Sequence, residues 1–118
     1  MATVENTIPV LCVSNLAESI RFYADVLGFS VDWGGEEGST VCSVSRDNCP
    51  LMLLQGDHPG GAWVWIGLEN DALFDIVQER ARIHQKPRNN PWAYEMKVLD
   101  PDDNVLWLGT GPKDIPRT

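Results

Sequence analysis

The first regular pattern along the chain is helical. Leu16, Ile20, Tyr23 and Leu27 recur at intervals of three and four, which makes one apolar face. Asn15 precedes the run as a candidate N-cap, and Glu18 follows three residues later, the spacing of a capping box. Gly28 comes directly after the last periodic residue, where a left-handed C-cap is easiest to form. The run from Phe29 to Trp33 then alternates as a strand does, and another strand-like stretch, residues 7–13, comes before the helix. The pattern predicts a β-α-β unit with the helix laid on one sheet face.

The rest of the chain repeats this plan. Pro9 lies inside the first strand and cannot donate to a ladder, so that strand belongs at a sheet edge or a subunit boundary. Residues 34–38 are turn-rich, 39–45 read as a strand, 46–49 as a hairpin turn and 50–55 as a further strand. Residues 56–61, with Pro59, look like a linker. A second set follows. It has a strand over 62–68 and a helix over 70–83, capped by Asn70, with Leu73, Ile76, Val77 and Arg80 on its inner face. Residues 86–90 are weakly extended, 91–99 form a strand, 100–104 a turn and 105–109 the last strand. A tail from Thr110, containing Pro112 and Pro116, is expected to be loosely held. The order is βαβββ twice, in halves of about 7–55 and 62–110 within one domain, 1–118. A faint internal repeat, Asp47 to Leu54 against Pro101 to Leu108, points the same way. Periodicity by itself predicts an α+β domain.

Composition narrows the partners. Seventeen acidic residues against nine basic ones leave a net charge of -8, which argues against nucleic acid and anionic membrane surfaces and leaves room for a cationic ligand. Three cysteines and the absence of a signal peptide or long apolar run predict reduced thiols and a cytoplasmic location, with Cys12 and Cys42 as core filler.

The run Ser19-Ile20-Arg21-Phe22-Tyr23 through Leu27-Gly28-Phe29 resembles the most recognisable helix of the vicinal oxygen chelate superfamily, the fold of glyoxalase I, extradiol dioxygenases and the bleomycin resistance proteins. Ile8-Pro9-Val10-Leu11, Ala62 to Ile66, Pro91-Trp92 and Asp100-Pro101-Asp102 with Asn104 extend the likeness, most closely to the bleomycin resistance proteins, over roughly residues 7–110. The resemblance implies tandem βαβββ repeats forming two curved mixed sheets around a cavity, with the helices outside.

Metal-dependent members of that superfamily hold a divalent ion on His, Glu or Gln side chains at the start of each half's first strand and in each half's last strand. The matching places here are Ile8, Leu53 or a neighbour, Ala62 or Trp63, and Trp107. None of these offers the imidazole or carboxylate that such ions take. The two histidines, His58 in the linker and His84 just past the expected second helix, are away from these places and read as surface residues. Expectation is therefore for no metal, no cofactor and no catalytic residue. There is no nucleophile elbow, phosphate-binding glycine loop or zinc pattern, and the carboxylate-rich 100–104 segment reads as a β-turn.

Five tryptophans stand out instead. Alternation puts Trp63 and Trp65 on one sheet face and Val64, Ile66 and Leu68 on the other. The aliphatic side suits packing beneath a helix, and the tryptophan side would face the cavity. Trp107 stands at a family ligand position and should face the same way. Flat aromatic walls with few charges suit a planar or cationic guest. At the places of Trp33, Trp63 and Trp92 the bleomycin resistance proteins carry aromatic residues that stack on the drug's planar tail, and Asp32 matches an acidic residue of that group. The candidate ligand-binding residues are therefore Trp33, Trp63, Trp92, Trp65, Trp107 and Asp32. The leading expectation is a metal-free homodimer that sequesters a small planar, cationic molecule at or near the subunit boundary, bleomycin-type glycopeptides being one possibility. The competing one is a lyase or dioxygenase of the same superfamily with atypical metal ligands.

Overall fold

In the computed structural model, which describes residues 2–114, the first helix starts at its expected cap. Asn15 is extended, and its side-chain oxygen accepts the Glu18 N–H at 3.0 Å. Helix α1 spans Leu16–Asp25. Gly28, at φ +74°, closes it in a left-handed cap: its N–H returns to the Ala24 carbonyl at 3.1 Å and the Phe29 N–H to the Tyr23 carbonyl at 2.9 Å. Leu16, Tyr23 and Leu27 are buried, and Phe22 and Phe29 meet the Tyr23 ring edge-on at 5.4 and 6.1 Å. Burial of each such side chain contributes about 1.5–3 kcal/mol.

The chain divides into two compact units, Met1–Gly60 and Gly61–Thr118. In the first, β1 (Val10–Val13), β2 (Ser30–Gly34), β3 (Val41–Arg46) and β4 (Cys49–Gln55) form a mixed sheet in the order β1-β4-β3-β2, with β1 parallel to β4. Helix α1 packs across β2, β3 and β4. Strand β1 is an edge strand, as expected, but it is shorter than expected and begins just after Pro9 instead of containing it. Pro9 itself only accepts, taking the Met52 N–H at 3.0 Å. Asp47 and Asn48 both have positive φ, 51° and 63°, which is the two-residue turn that matches strand twist in a tight hairpin.

The second unit repeats the plan with β5 (Trp63–Gly67), α2 (Ala72–Arg80), β6 (Arg82–Asn89), β7 (Tyr94–Leu99) and β8 (Val105–Thr110). Its sheet order is β5-β8-β7-β6, with β5 parallel to β8. The protein is thus α+β, two four-stranded mixed sheets each carrying one helix. No helix among the described residues is long and apolar enough to cross a membrane.

Three expectations need correction. The second helix ends at Arg80, not Ile83, because Ala81 turns extended and Arg82 opens an eight-residue strand. Arg82 is drawn into the sheet by the Asp100 carbonyl and the Asp103 carboxylate, both at 2.6 Å. Pairing with β7 thus overrides the helical preference of this stretch. Its inner face is Leu73, Phe74 and Val77, whereas Ile76 is 44% exposed and Arg80 is exposed. Phe74 stacks on Tyr94 of β7 at 5.0 Å. His84 accordingly lies within β6, exposed.

The internal repeat is also one residue out of register. Strand pairing sets Met52 beside Val10 and Ser43, as Trp107 is set beside Trp65 and Lys97. Met52, not Leu53, is therefore the counterpart of Trp107. The 100–104 turn holds one residue more than the hairpin it replaces, and a one-residue slip exchanges the two faces of a strand.

The tail is held more firmly than expected as far as it is described. Lys113 exchanges two backbone hydrogen bonds with the Asn89 side chain, and its ammonium reaches Asp71 at 2.6 Å and lies 4.4 Å from the Tyr94 ring centre. Pro116 lies outside the described residues.

Candidate functional site

The 100–104 turn, acidic in sequence, is a structural clasp. Asp100 is fully buried; its carboxylate accepts the N–H groups of Asp102 and Asn104 and the Asn104 side-chain amide, all at 2.8–2.9 Å. Asn104 in turn accepts the Ala62 N–H at 3.0 Å. This fixes the start of β5 against β8, and with it the register that sets Trp65 beside Trp107.

Alternation then sorts the second sheet. Val64, Leu106, Leu108, Met96 and Val98 are buried on the helix side. Trp63, Trp65, Trp107, Glu95 and Lys97 project from the opposite face. Trp65 and Trp107 meet edge to face at 5.2 Å and 85°, and Trp92, from the segment leading into β7, meets Trp107 at 6.2 Å and 84°. These three indoles line an open hollow of about 690 Å³, together with Gly67, Gly109, Glu69, Thr110 and Gly111 among others. Trp65 can lie there because the paired residues Gly67 and Gly109 leave the sheet bare. A Cβ on Gly109 would sit 2.0 Å from the Trp65 ring, closer than any real contact. Trp65 and Trp92 remain 49% and 59% exposed, a large unsatisfied apolar area for a small domain.

Glu69 is the one charged side chain lining the hollow among the described residues. Beside it lies a buried polar cluster that sequence reasoning missed. Glu95 is only 3% exposed. One carboxylate oxygen accepts the Trp107 indole N–H; the other takes the Asn90 amide at 3.0 Å and faces the Lys97 ammonium at 3.8 Å. Lys97 also donates to Gln85 at 2.6 Å and stands 4.9 Å from the Trp107 ring centre. The available signal was Glu95 and Lys97 alternating with Met96 and Val98 in a strand that the apolar pattern marks as buried.

The remaining candidates lie elsewhere. Trp63 shares the tryptophan face, is 59% exposed and meets His84 edge-on at 5.9 Å, and it does not line the hollow. Trp33 and Asp32 belong to the first unit. Asp32 forms a bulge between Val31 and Trp33, and its carboxylate is taken up by the Ser43 and Ser45 hydroxyls at 3.0 and 2.7 Å. Trp33 is 49% exposed.

The superfamily's divalent ion does not fit the residues present. Leu53 is fully buried on the helix side, its neighbours Met52 and Leu54 carry no hard donor, and the Trp107 ring nitrogen is a donor already bonded to Glu95. Among the described residues, no group of three or more His, Cys, Asp or Glu could hold a metal ion. Cys42 is no candidate nucleophile: it is fully buried, and desolvation raises its pKa.

This fold belongs to a known class. Residues 6–108 match the model of the Glyoxalase/Bleomycin resistance protein/Dioxygenase superfamily, and the chain belongs to that family. No curated protein sequence matches the chain. Among solved structures it is similar to the bleomycin-binding protein of bleomycin-producing Streptomyces verticillus complexed with copper(II)-bleomycin. That match has a TM-score of 0.73 and 21% identity, covering 94% of this chain and 99% of that one. TnmS3, an antibiotic-binding protein from a Streptomyces species, matches with a TM-score of 0.72 at 22% identity, over 93% and 99% of the two chains. TioX from a Micromonospora species gives 0.76 at 16% identity, over 90% and 99%. At these identities the likeness is one of fold.

Proposed function

We propose that this protein is a metal-free, non-catalytic binder of the bleomycin resistance type, which sequesters a small planar, cationic molecule in the cytoplasm. The observation that carries the reading is the meeting of Trp65, Trp92 and Trp107 in one open hollow with Glu69 at its edge. Indole faces attract flat and cationic groups, and the carboxylate adds charge selection. The net charge of -8 favours the approach of a cation. Trp63 extends the aromatic face; Trp33 and Asp32, in the first unit, are separate candidate ligand contacts through their likeness to the drug-contacting positions of the bleomycin resistance proteins. The working form is a homodimer with its sites at the subunit boundary, a reading supported by the large exposed tryptophan area.

The test is a ligand screen read by tryptophan fluorescence and thermal shift, with acridine orange as a planar monocation and a neutral ring system of equal size as its control. Saturable binding of the cation, with a raised melting temperature, is expected. Sedimentation at micromolar concentration should give a dimer. Stoichiometric zinc, nickel or iron surviving dialysis would overturn the reading and favour a lyase or dioxygenase.

A further inference from the structure

A carboxylate and an ammonium sunk into a sheet face need explaining, since burying ions is costly and an apolar pair of similar volume would pack there more cheaply. The Glu95 and Lys97 side chains are 5% and 13% exposed. The cluster they form reaches Gln85 on β6, Asn90 in the following turn and Trp107 on β8. Of these, only Trp107 lines the hollow. Its ring is gripped twice, at the indole N–H by Glu95 and over the ring by Lys97.

We infer that Glu95 is the positioning residue of the aromatic wall: its buried carboxylate, held by Asn90 and Lys97, fixes the plane of the Trp107 indole against which Trp65 and Trp92 stand. The inference rests on the reading of this hollow as a guest site. An indole free to turn about its χ angles would lose that ordering entropy on each binding event, whereas a fixed one presents its wall in advance. Lys97 reinforces the arrangement by placing a positive charge over the Trp107 ring, which disfavours a cation at that ring and leaves Trp65, Trp92 and Glu69 to take it.

The test uses the full chain and has two readouts. The first needs no guest: the Trp107 Nε1–H resonance, assigned by its disappearance in Trp107→Phe. In the wild type it should lie downfield and exchange slowly with solvent; Glu95→Gln should move it upfield, and Glu95→Ala should also speed its exchange. The second is acridine orange affinity per folded molecule, which should fall at least about tenfold in Glu95→Ala, in line with loss of a hydrogen bond to a charged group. Glu95→Gln, which keeps an acceptor for the indole, should lose much less, and it serves if Glu95→Ala fails to fold. An unmoved resonance in Glu95→Gln, or Glu95→Ala that melts lower yet binds as the wild type does, would overturn the inference. A wild type that does not bind the dye, with the resonance behaving as described, would sink the guest-site reading and leave Glu95's hold on Trp107 standing.

Discussion

The two units share strand order and pairing, yet they dress corresponding positions differently. In the first, the cross-strand pairs opposite the helix are Val10 with Met52 and Cys12 with Leu54, flanked by Val41 and Ser43 on β3. In the second, the pairs at the same places are Trp65 with Trp107 and Gly67 with Gly109, flanked by Glu95 and Lys97 on β7. On the helix side the two units agree: Leu51 and Leu53 answer Leu106 and Leu108, all buried. The helix side maintains the fold and tolerates only volume-matched apolar residues. The open side is free of that constraint, and there the second unit exchanges medium-sized side chains for an extreme combination of very large and very small ones. Glycines admit the indole, and buried ions hold its neighbour.

The largest expected effect tests the shared side. Leu53→Ala and Leu108→Ala, both at fully buried positions, should each destabilise the protein by about 2–5 kcal/mol in urea unfolding. A large difference between them would break the equivalence of the two cores. A smaller effect tests the contrasted side. Gly109→Ala would place a methyl where the Trp65 ring lies, so it should cost about 1–3 kcal/mol and displace Trp65, with a change in tryptophan emission. Leu54→Ala, a truncation at the counterpart position, which is 43% exposed, should be milder, and a Gly109→Ala protein as stable as the wild type would mean that Trp65 has room to move.

The helix-side agreement was legible in the chain because burial imposes periodicity. Asn15, Gly28, the alternation through Trp63 to Ile66 and the edge position expected from Pro9 all follow from local rules. The C-terminal part of the second helix was not legible, since Arg82 takes its conformation from Asp100 and Asp103, which are far along the chain. The register of the repeat was misread for the same kind of reason, because turn length, not composition, decides which face Met52 and Trp107 share. The tryptophan face could be read from alternation. Its support could not: the contact between Glu95 and Trp107 is a cross-strand one, and Gly67 and Gly109 matter only once pairing has set them side by side.

The smallest expected effect concerns the segment after β8, where Thr110 and Gly111 line the hollow and Lys113 is pinned to Asp71. The Lys113 hydrogen bond and charge hold the Asp71 pKa below its ordinary value, and Asp71 holds that of Lys113 above its own. The Asp71 contribution is present above the free carboxyl's pKa and fades as pH falls through the lowered one. The Lys113 contribution is complete below the free ammonium's pKa and fades as pH rises through the raised one. Amide exchange at Thr110 and Gly111 should therefore show an added opening at strongly acidic and strongly alkaline pH, and Asp71→Asn should bring it to neutral pH. Both groups are exposed, so the effect on global stability should be slight and salt-sensitive.

The claim that the open face of the second unit holds the guest is tested most directly by giving it the first unit's residues. Trp65→Val with Trp107→Met recreates the Val10 and Met52 pair, and acridine orange affinity is measured for this variant and the wild type after melting curves establish the folded fraction. Loss of two aromatic contacts worth on the order of 1–3 kcal/mol each predicts an affinity reduced roughly thirtyfold or more in protein that remains folded. An unchanged affinity in the folded variant would contradict the account.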